Sequence, residues 1–145
     1  SLDAVYSDLI YQKQGKIFRY WQSSPFQKGL FLKGWNPPHP TFYVKKTVYQ
    51  RLGGFNLGYR MGNDIELMMR FLEKNTLKTH YVPSIWVAME VGGVSNQNWR
   101  HILWQNQEVI RAAKDLGLPI LVHTFIFHKI VSRFWQRFRK WGNPC

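Results

Sequence analysis

The stretch YRMGNDIELMMRF, residues 59–71, is the part of this sequence that most constrains its fold. Its apolar residues recur at helical spacing and predict a helix with one buried face, formed by Ile65, Met68, Met69 and Leu72. Asn63 precedes this pattern as a candidate N-cap, and Glu66 follows three residues later, which is the spacing of a capping box. Asp64 lies between them, and the cap leaves it without an assigned role.

Carboxylates are scarce in this chain, which makes two of them at one helix start notable. The 145 residues include 8 Asp and Glu against 20 Lys and Arg, a net charge of +12. Asp64 has two interpretations from the residues alone. It can stabilise the positive end of the helix macrodipole, or it can face a cleft and act as a general base. The capping role accounts for Glu66 by itself.

Composition limits the classes of protein that fit. With 45% hydrophobic and 17% aromatic residues, the chain can form one domain with its own core and is not a disordered chain. The positive charge predicts an anionic partner: nucleic acid, anionic lipid or a phosphorylated ligand. Cys145 is the single cysteine, which excludes a disulfide framework and fits a reducing compartment. The longest apolar stretch, residues 118–127, is too short to span a bilayer.

The remaining pattern alternates strands with helices and predicts an α/β fold. Lys13, Gln14 and Gly15 separate two strand-like runs and indicate a hairpin. Gly53 and Gly54 end a short helix. The segments in question are strands at 3–12, 16–22, 41–46 and 78–91 and helices at 47–54 and 96–115. The long helix at 96–115 is predicted to turn one face inward, formed by Trp99, Leu103, Ile110 and Ala113.

The C-terminal residues differ in character from the rest. From residue 123 onward, apolar residues recur every three or four positions and basic residues recur on another side. Such a helix can pack on a core with its charges solvated. Its Phe and Trp content favours a helix that lies in a membrane interface, which is the role we expect. The apolar set is Phe127, Ile130, Val131, Phe134, Phe138 and Trp141, and the basic set is Lys129, Arg133, Arg137 and Lys140.

The order of motifs resembles a known family. HPTFYVKKTVYQRLGGFNLGYRMGNDIELMMRF (39–71), a strand pair, and then GGVSN (92–96) resemble the C-terminal half of a glycosyltransferase family 2 enzyme with the GT-A fold. The nearest likeness is to bacterial transferases that assemble polysaccharides. The resemblance implies a mixed sheet flanked by helices. It also implies that residues 1–117 form the acceptor-side half of the transferase domain and that 118–145 form a basic amphipathic membrane-surface helix.

The resemblance also assigns roles to individual residues. Asp64 matches the family's catalytic base, which deprotonates the acceptor hydroxyl so that the anomeric configuration inverts. Many members carry Glu directly before this Asp, whereas this chain has Asn63. The other predicted substrate-binding residues each have a structural alternative. His39 contacts the acceptor or lies on the surface, Trp35 stacks on a sugar or anchors a loop, and Arg60 meets phosphate or pairs with Asp64. The glycine-rich loop also has two interpretations: it lies near the donor phosphates, or it is an ordinary turn. Its predicted site residues are Gly92, Gly93 and Ser95.

The family's metal motif is missing from this sequence. The family holds Mg²⁺ or Mn²⁺ with a D-x-D motif, but Asp3 and Asp8 are spaced too widely to form one. We therefore expect the chain to begin just after that motif, with the metal ligands and the donor-binding half outside it. The expected partners are a nucleotide-sugar donor, a saccharide or lipid-linked acceptor and the anionic inner face of the plasma membrane, with no nucleic acid. Two alternatives are an inactive transferase remnant and a basic, aromatic module that binds nucleic acid or membrane.

Overall fold

The computed structural model describes residues 1–90 and 99–138 as a mixed sheet flanked by helices, which confirms the predicted α/β architecture at that level. Two 3₁₀ turns, Phe31–Lys33 and His39–Thr41, lie between the second and third strands. The strands are β1 (Ala4–Lys13), β2 (Lys16–Trp21), β3 (Tyr43–Val44) and β4 (Thr79–Glu90), and the helices are α1 (Lys46–Leu52), α2 (Asn63–Met69), α3 (Trp99–Asp115) and α4 (Val122–Phe138).

β1 is the strand with which the other three pair. It runs antiparallel to β2 and β3 and parallel to β4. The predicted hairpin between β1 and β2 is confirmed, and its two loop residues, Gln14 and Gly15, both have positive φ, as a tight hairpin turn requires. The register of β1 against β4 shifts near Pro83, because Ser7 pairs with Val82 while Asp8 pairs with Ile85. Proline has no N–H for the ladder, which explains this irregularity.

The predicted helix at Asn63 is confirmed and contributes a large part of the core. Ile65, Met68, Met69 and Leu72 are all buried, and α2 continues as a π-helical turn over Arg70–Lys74. The predicted inward face of α3 is only partly right: Ala113 is buried, but Leu103 is 52% exposed. The buried face of α3 instead contains Glu108, Val109, Ala112 and Ala113. The apolar spacing did not indicate this face, because one of its buried residues, Glu108, is charged.

α4 packs on the same core through Phe125, which is 1% exposed and belongs to the main hydrophobic cluster. The boundary at residue 117 therefore separates two segments that share a core, and the division into two parts stays a prediction. None of the helices in the described residues is both long enough and apolar enough to cross a bilayer.

Candidate active site

A cavity of about 630 Å³ opens where the β1–β2 hairpin, the start of α2, α3 and α4 meet. Four predicted site residues line it: Trp35, His39, Arg60 and Asp64. Five Lys or Arg side chains, Arg60 included, line it against two carboxylates, so the cavity carries a positive charge suited to an anionic ligand. The cations are Arg19, Lys33, Arg60, Lys129 and Arg133, and the carboxylates are Asp64 and Glu90.

The side chains of Asp64 and His39 lie in contact at this cavity. His39 Nδ1 lies 3.1 Å from Asp64 Oδ2, and the backbone N–H of Ile65 donates to Asp64 Oδ1 at 2.8 Å. The His39 side chain is 56% exposed and that of Asp64 is 20% exposed, so both reach solvent. A carboxylate has about four acceptor positions. Asp64 is thus held by the Ile65 N–H, lies beside the His39 ring, and retains acceptor capacity for a further donor.

The turn that carries His39 is fixed to the sheet. The buried hydroxyl of Thr41 accepts the N–H of Ser7 at 3.2 Å and lies 2.9 Å from the carbonyl oxygens of Ser7 and Pro38, to which it can donate. Pro37 and Pro38 are also buried, and proline restricts the backbone that leads into the turn. The position of His39 beside Asp64 therefore depends on β1, which lies more than thirty residues earlier in the chain.

Glu108 on α3 fixes the loop that leads to Asp64. Its carboxylate is 6% exposed and accepts the N–H groups of Arg60 at 3.1 Å, Met61 at 2.7 Å and Gly62 at 2.8 Å. Burial alone raises the pKa of Glu108, but these three N–H groups and the nearby charge of Arg111 outweigh it and lower the pKa below the ordinary 4.5. A side chain at position 62 would press on Glu108, because its Cβ would lie 3.2 Å from that of Glu108.

The predicted capping box is wrong. The residue that precedes α2 is Gly62, Asn63 is the first helical residue, and no side-chain cap bond is formed. Glu108 takes the N–H groups around this helix start instead. Glu66 turns along the helix and pairs with Arg70, with Oε1 2.9 Å from Nε. The pair is favoured because residues four apart lie on one face of a helix.

Trp35 and Arg60 combine structural contacts with positions at the cavity. The Trp35 ring packs edge-on against Phe31 at 5.4 Å and also contacts Tyr6 and Phe26, which favours its role as an anchor. The side chain beside Asp64 is that of His39, whereas the Arg60 guanidinium lies 5.4 Å from the centre of the Trp104 ring. Gly92, Gly93 and Ser95 lie outside the described residues.

Sequence reasoning missed two groups of residues at the cavity. On the hairpin, the Tyr11 and Trp21 rings stack at 6.5 Å, and the Arg19 guanidinium lies over both. Alternation of residues along β1 and β2 is a signal that places such side chains on one face of the hairpin. On α4, Lys129 and Arg133 turn toward the cavity rather than outward. The residue spacing of α4 does not indicate that its basic side, rather than its most aromatic side, lines a cavity of the protein.

The environment of Lys129 differs from that of a surface lysine. Burial and the charge of Arg133 lower the pKa of Lys129 to about 8, while the negative charge of Asp64 partly opposes this shift. Lys129 Nζ donates to Asn106 Oδ1 at 2.7 Å. Burial likewise lowers the pKa of Arg133. Two partly desolvated cations therefore lie in the same cavity as the Asp64 carboxylate.

The described residues do not form a metal site, since no three His, Cys, Asp or Glu side chains within 1–90 and 99–138 lie together. The metal that the resemblance implies is expected to have its ligands outside this chain, and that expectation stays a prediction. Comparison of the chain with protein-family models, with curated proteins and with solved structures finds no significant match.

Proposed function

We propose that this chain is the acceptor-side part of an inverting glycosyltransferase of the GT-A fold, which transfers a sugar from a nucleotide-sugar to a saccharide or lipid-linked acceptor. The observation that carries this proposal is the position of Asp64, a carboxylate held by His39 and by the Ile65 N–H at the edge of a cationic, aromatic-walled cavity. The resemblance of residues 39–71 to family 2 transferases supports the same assignment.

In this proposal Asp64 acts as the general base. The acceptor hydroxyl attacks the anomeric carbon of the donor sugar, its proton passes to Asp64, and the bond from that carbon to the nucleoside diphosphate breaks. The diphosphate leaves with the electron pair of the broken bond, so the configuration inverts. His39 holds the carboxylate in the orientation that proton transfer requires. The resemblance assigns most of the nucleotide-sugar site, with any metal, to the other half of such a transferase domain.

The test is sugar transfer by the longest natural polypeptide that contains this chain, assayed with labelled nucleotide-sugars and membrane lipid extract. Asp64→Asn keeps the size of the side chain but removes the base, and we expect turnover to fall by about 10²- to 10⁴-fold. Nucleotide binding should remain, because Asp64 acts on the acceptor. Glu90→Gln, which removes the other carboxylate of the cavity, is the matched control and should lower turnover less than about tenfold.

Two outcomes contradict this assignment in different ways. Full turnover by the Asp64→Asn variant excludes Asp64 as the base. A wild-type polypeptide that binds nucleotide-sugar but transfers nothing favours the inactive remnant over the enzyme.

The exposed face of α4 supports docking on the cytoplasmic face of the plasma membrane. Phe127, Ile130, Phe134 and Trp135 are all 59–64% exposed, and large exposed apolar patches mark interaction surfaces. The net charge of +12 favours an anionic bilayer. A transferase held there would meet a lipid-linked acceptor at the surface. The membrane-facing side of α4 is thus its apolar side, while Lys129 and Arg133 face the cavity.

Vesicle co-sedimentation tests this docking. The double variant Phe127→Ser, Phe134→Ser should lower affinity for vesicles with anionic lipid by about tenfold or more, since each buried Phe contributes about 1.5–3 kcal/mol. The control is Phe18→Ser, which removes an equally exposed aromatic on β2 and should leave affinity unchanged. Equal binding by the double variant and the wild type would contradict docking through α4. Substitutions are needed because deleting α4 would also remove Phe125 from the core.

A further inference from the structure

Lys129 and Arg133 are two cations one helical turn apart on α4, and both line the cavity that contains Asp64. The contact made by Lys129 Nζ is to a neutral amide, that of Asn106. Within the described residues, neither cation forms an ion pair with a carboxylate. Asp64 offsets the charge of Lys129 only in part, so the two cations leave a net positive charge in the cavity, as expected of a site that receives an anion.

The position of these cations is built into the fold. Phe125, one turn before Lys129, is 1% exposed in the core and fixes the rotation of α4, and Lys129 Nζ lies 5.1 Å from the centre of its ring. Gly34 lets the helix come close, because a Cβ at that position would lie 3.0 Å from Lys129 Cβ and 3.1 Å from the carbonyl oxygen of Phe125. Gly34 also has φ +75°, which favours glycine.

We propose that Lys129 and Arg133 form a subsite for a diphosphate group. This inference rests on the proposed glycosyl transfer, in which the departing group is a diphosphate. As the bond to the anomeric carbon breaks, negative charge accumulates on the diphosphate oxygens, and two fixed cations in a partly desolvated cavity stabilise it there. Arginine binds phosphate oxygens through a planar fork, and lysine acts as a point charge. The base on α2 and the cations on α4 then act on different parts of the donor–acceptor pair.

Calorimetric titration of the chain with pyrophosphate tests the subsite without any turnover. Lys129→Gln and Arg133→Gln should each weaken pyrophosphate binding by about tenfold or more, since a charge-assisted hydrogen bond contributes on this scale. The matched controls, Lys46→Gln and Arg51→Gln, remove the same charges from exposed positions on α1 that do not line the cavity. They should change the affinity by less than about twofold, because surface charges are screened by salt. Circular dichroism checks that each variant keeps the helical content of the wild type.

The outcomes separate this inference from the proposed function. Pyrophosphate binding that is absent, or unchanged in both α4 variants, overturns the subsite even if Asp64 supports sugar transfer. Binding that is lost in the α4 variants supports the subsite even if no transfer is found, in which case the glycosyltransferase assignment is the part that fails. Uridine diphosphate and geranyl diphosphate then distinguish the two sources of the group. Whichever of them binds more tightly than pyrophosphate identifies a nucleotide donor or a lipid diphosphate.

Discussion

Asp64 and Glu108 are carboxylates on different helices, α2 and α3, that flank the loop of residues 60–62, yet their surroundings differ. Glu108 is buried and accepts three backbone N–H groups. Asp64 reaches the cavity and has one backbone N–H and one histidine as partners. A carboxylate surrounded by fixed donors cannot take a proton without losing those bonds, whereas a partly satisfied one can. The first is a structural group, and the second is available for chemistry.

The same division explains why so basic a chain keeps its few acids. Glu73 is 2% exposed and accepts the N–H groups of Gly29 and Phe31 at 2.8–3.2 Å. Asp8, 1% exposed, accepts the N–H of Ser23 and the hydroxyls of Tyr20 and Tyr81. These buried acids each hold a loop against the sheet or core. Asp64 is used differently, because its second partner is a side chain that is itself exposed.

The largest effect that separates the two kinds of acid concerns stability. Glu108→Ala leaves three N–H groups of the loop without their acceptor, and we expect the free energy of unfolding to fall by about 2–4 kcal/mol. Urea denaturation at neutral pH measures this loss. The control Glu90→Ala removes an exposed carboxylate and should change stability by less than about 0.5 kcal/mol. Equal stability of the two variants would mean that water replaces Glu108 at no cost.

Acid titration of the same variants sharpens this prediction. Because the pKa of Glu108 is lowered in the folded chain, its stabilising contribution is fully present above the ordinary 4.5 and is lost as pH falls through the folded value. The difference between the wild type and Glu108→Ala should therefore narrow below pH 4.5. A difference that stays constant with pH would assign the loss to packing rather than to the charge.

Features that depend on neighbouring residues could be predicted from the sequence. The hairpin at Gln14, the short helix α1 with its end at Gly53 and the buried face of α2 follow from turn residues and apolar spacing. Contacts between segments that are distant in the sequence could not be predicted in this way. Glu108 lies 46 residues from Gly62, and no local signal connects them, so the cap was assigned to Asn63.

The cavity also depends on contacts between distant residues that the sequence alone does not indicate. Asp64 and His39 were each singled out, but their pairing depends on β1, which anchors the turn at Thr41. The pattern of α4 predicted an amphipathic helix, and a helix is found over Val122–Phe138. Which side faces the protein was decided by Phe125 and Gly34. This orientation of α4 places Lys129 and Arg133 in the cavity. Their spacing in the sequence does not distinguish them from basic residues on a solvent-exposed helix face.

The smallest effect concerns the partner of Asp64. His39→Ala removes the side chain that orients the carboxylate, so turnover of the full-length polypeptide should fall by about 10- to 100-fold, less than for Asp64→Asn. KM for the acceptor should change little, since the loss is in orientation rather than binding. His39→Gln keeps a hydrogen-bond donor and should recover part of the rate. The control His128→Gln alters another histidine of the cavity and should leave turnover near that of the wild type.

The pH profile of the His39 variants decides between orientation and proton transfer. If His39 only orients Asp64, the His39→Gln variant keeps the shape of the wild-type rate profile at a lower level, because the group that takes the proton is unchanged. A His39→Gln variant that is as inactive as Asp64→Asn and that changes the shape of the rate profile would make His39 the proton acceptor. Asp64 would then be its orienting partner, as the carboxylate is in a catalytic triad. In either case Asp64 takes part in the chemistry whereas Glu108 is structural, and this comparison holds as long as both His39 variants keep the stability of the wild type.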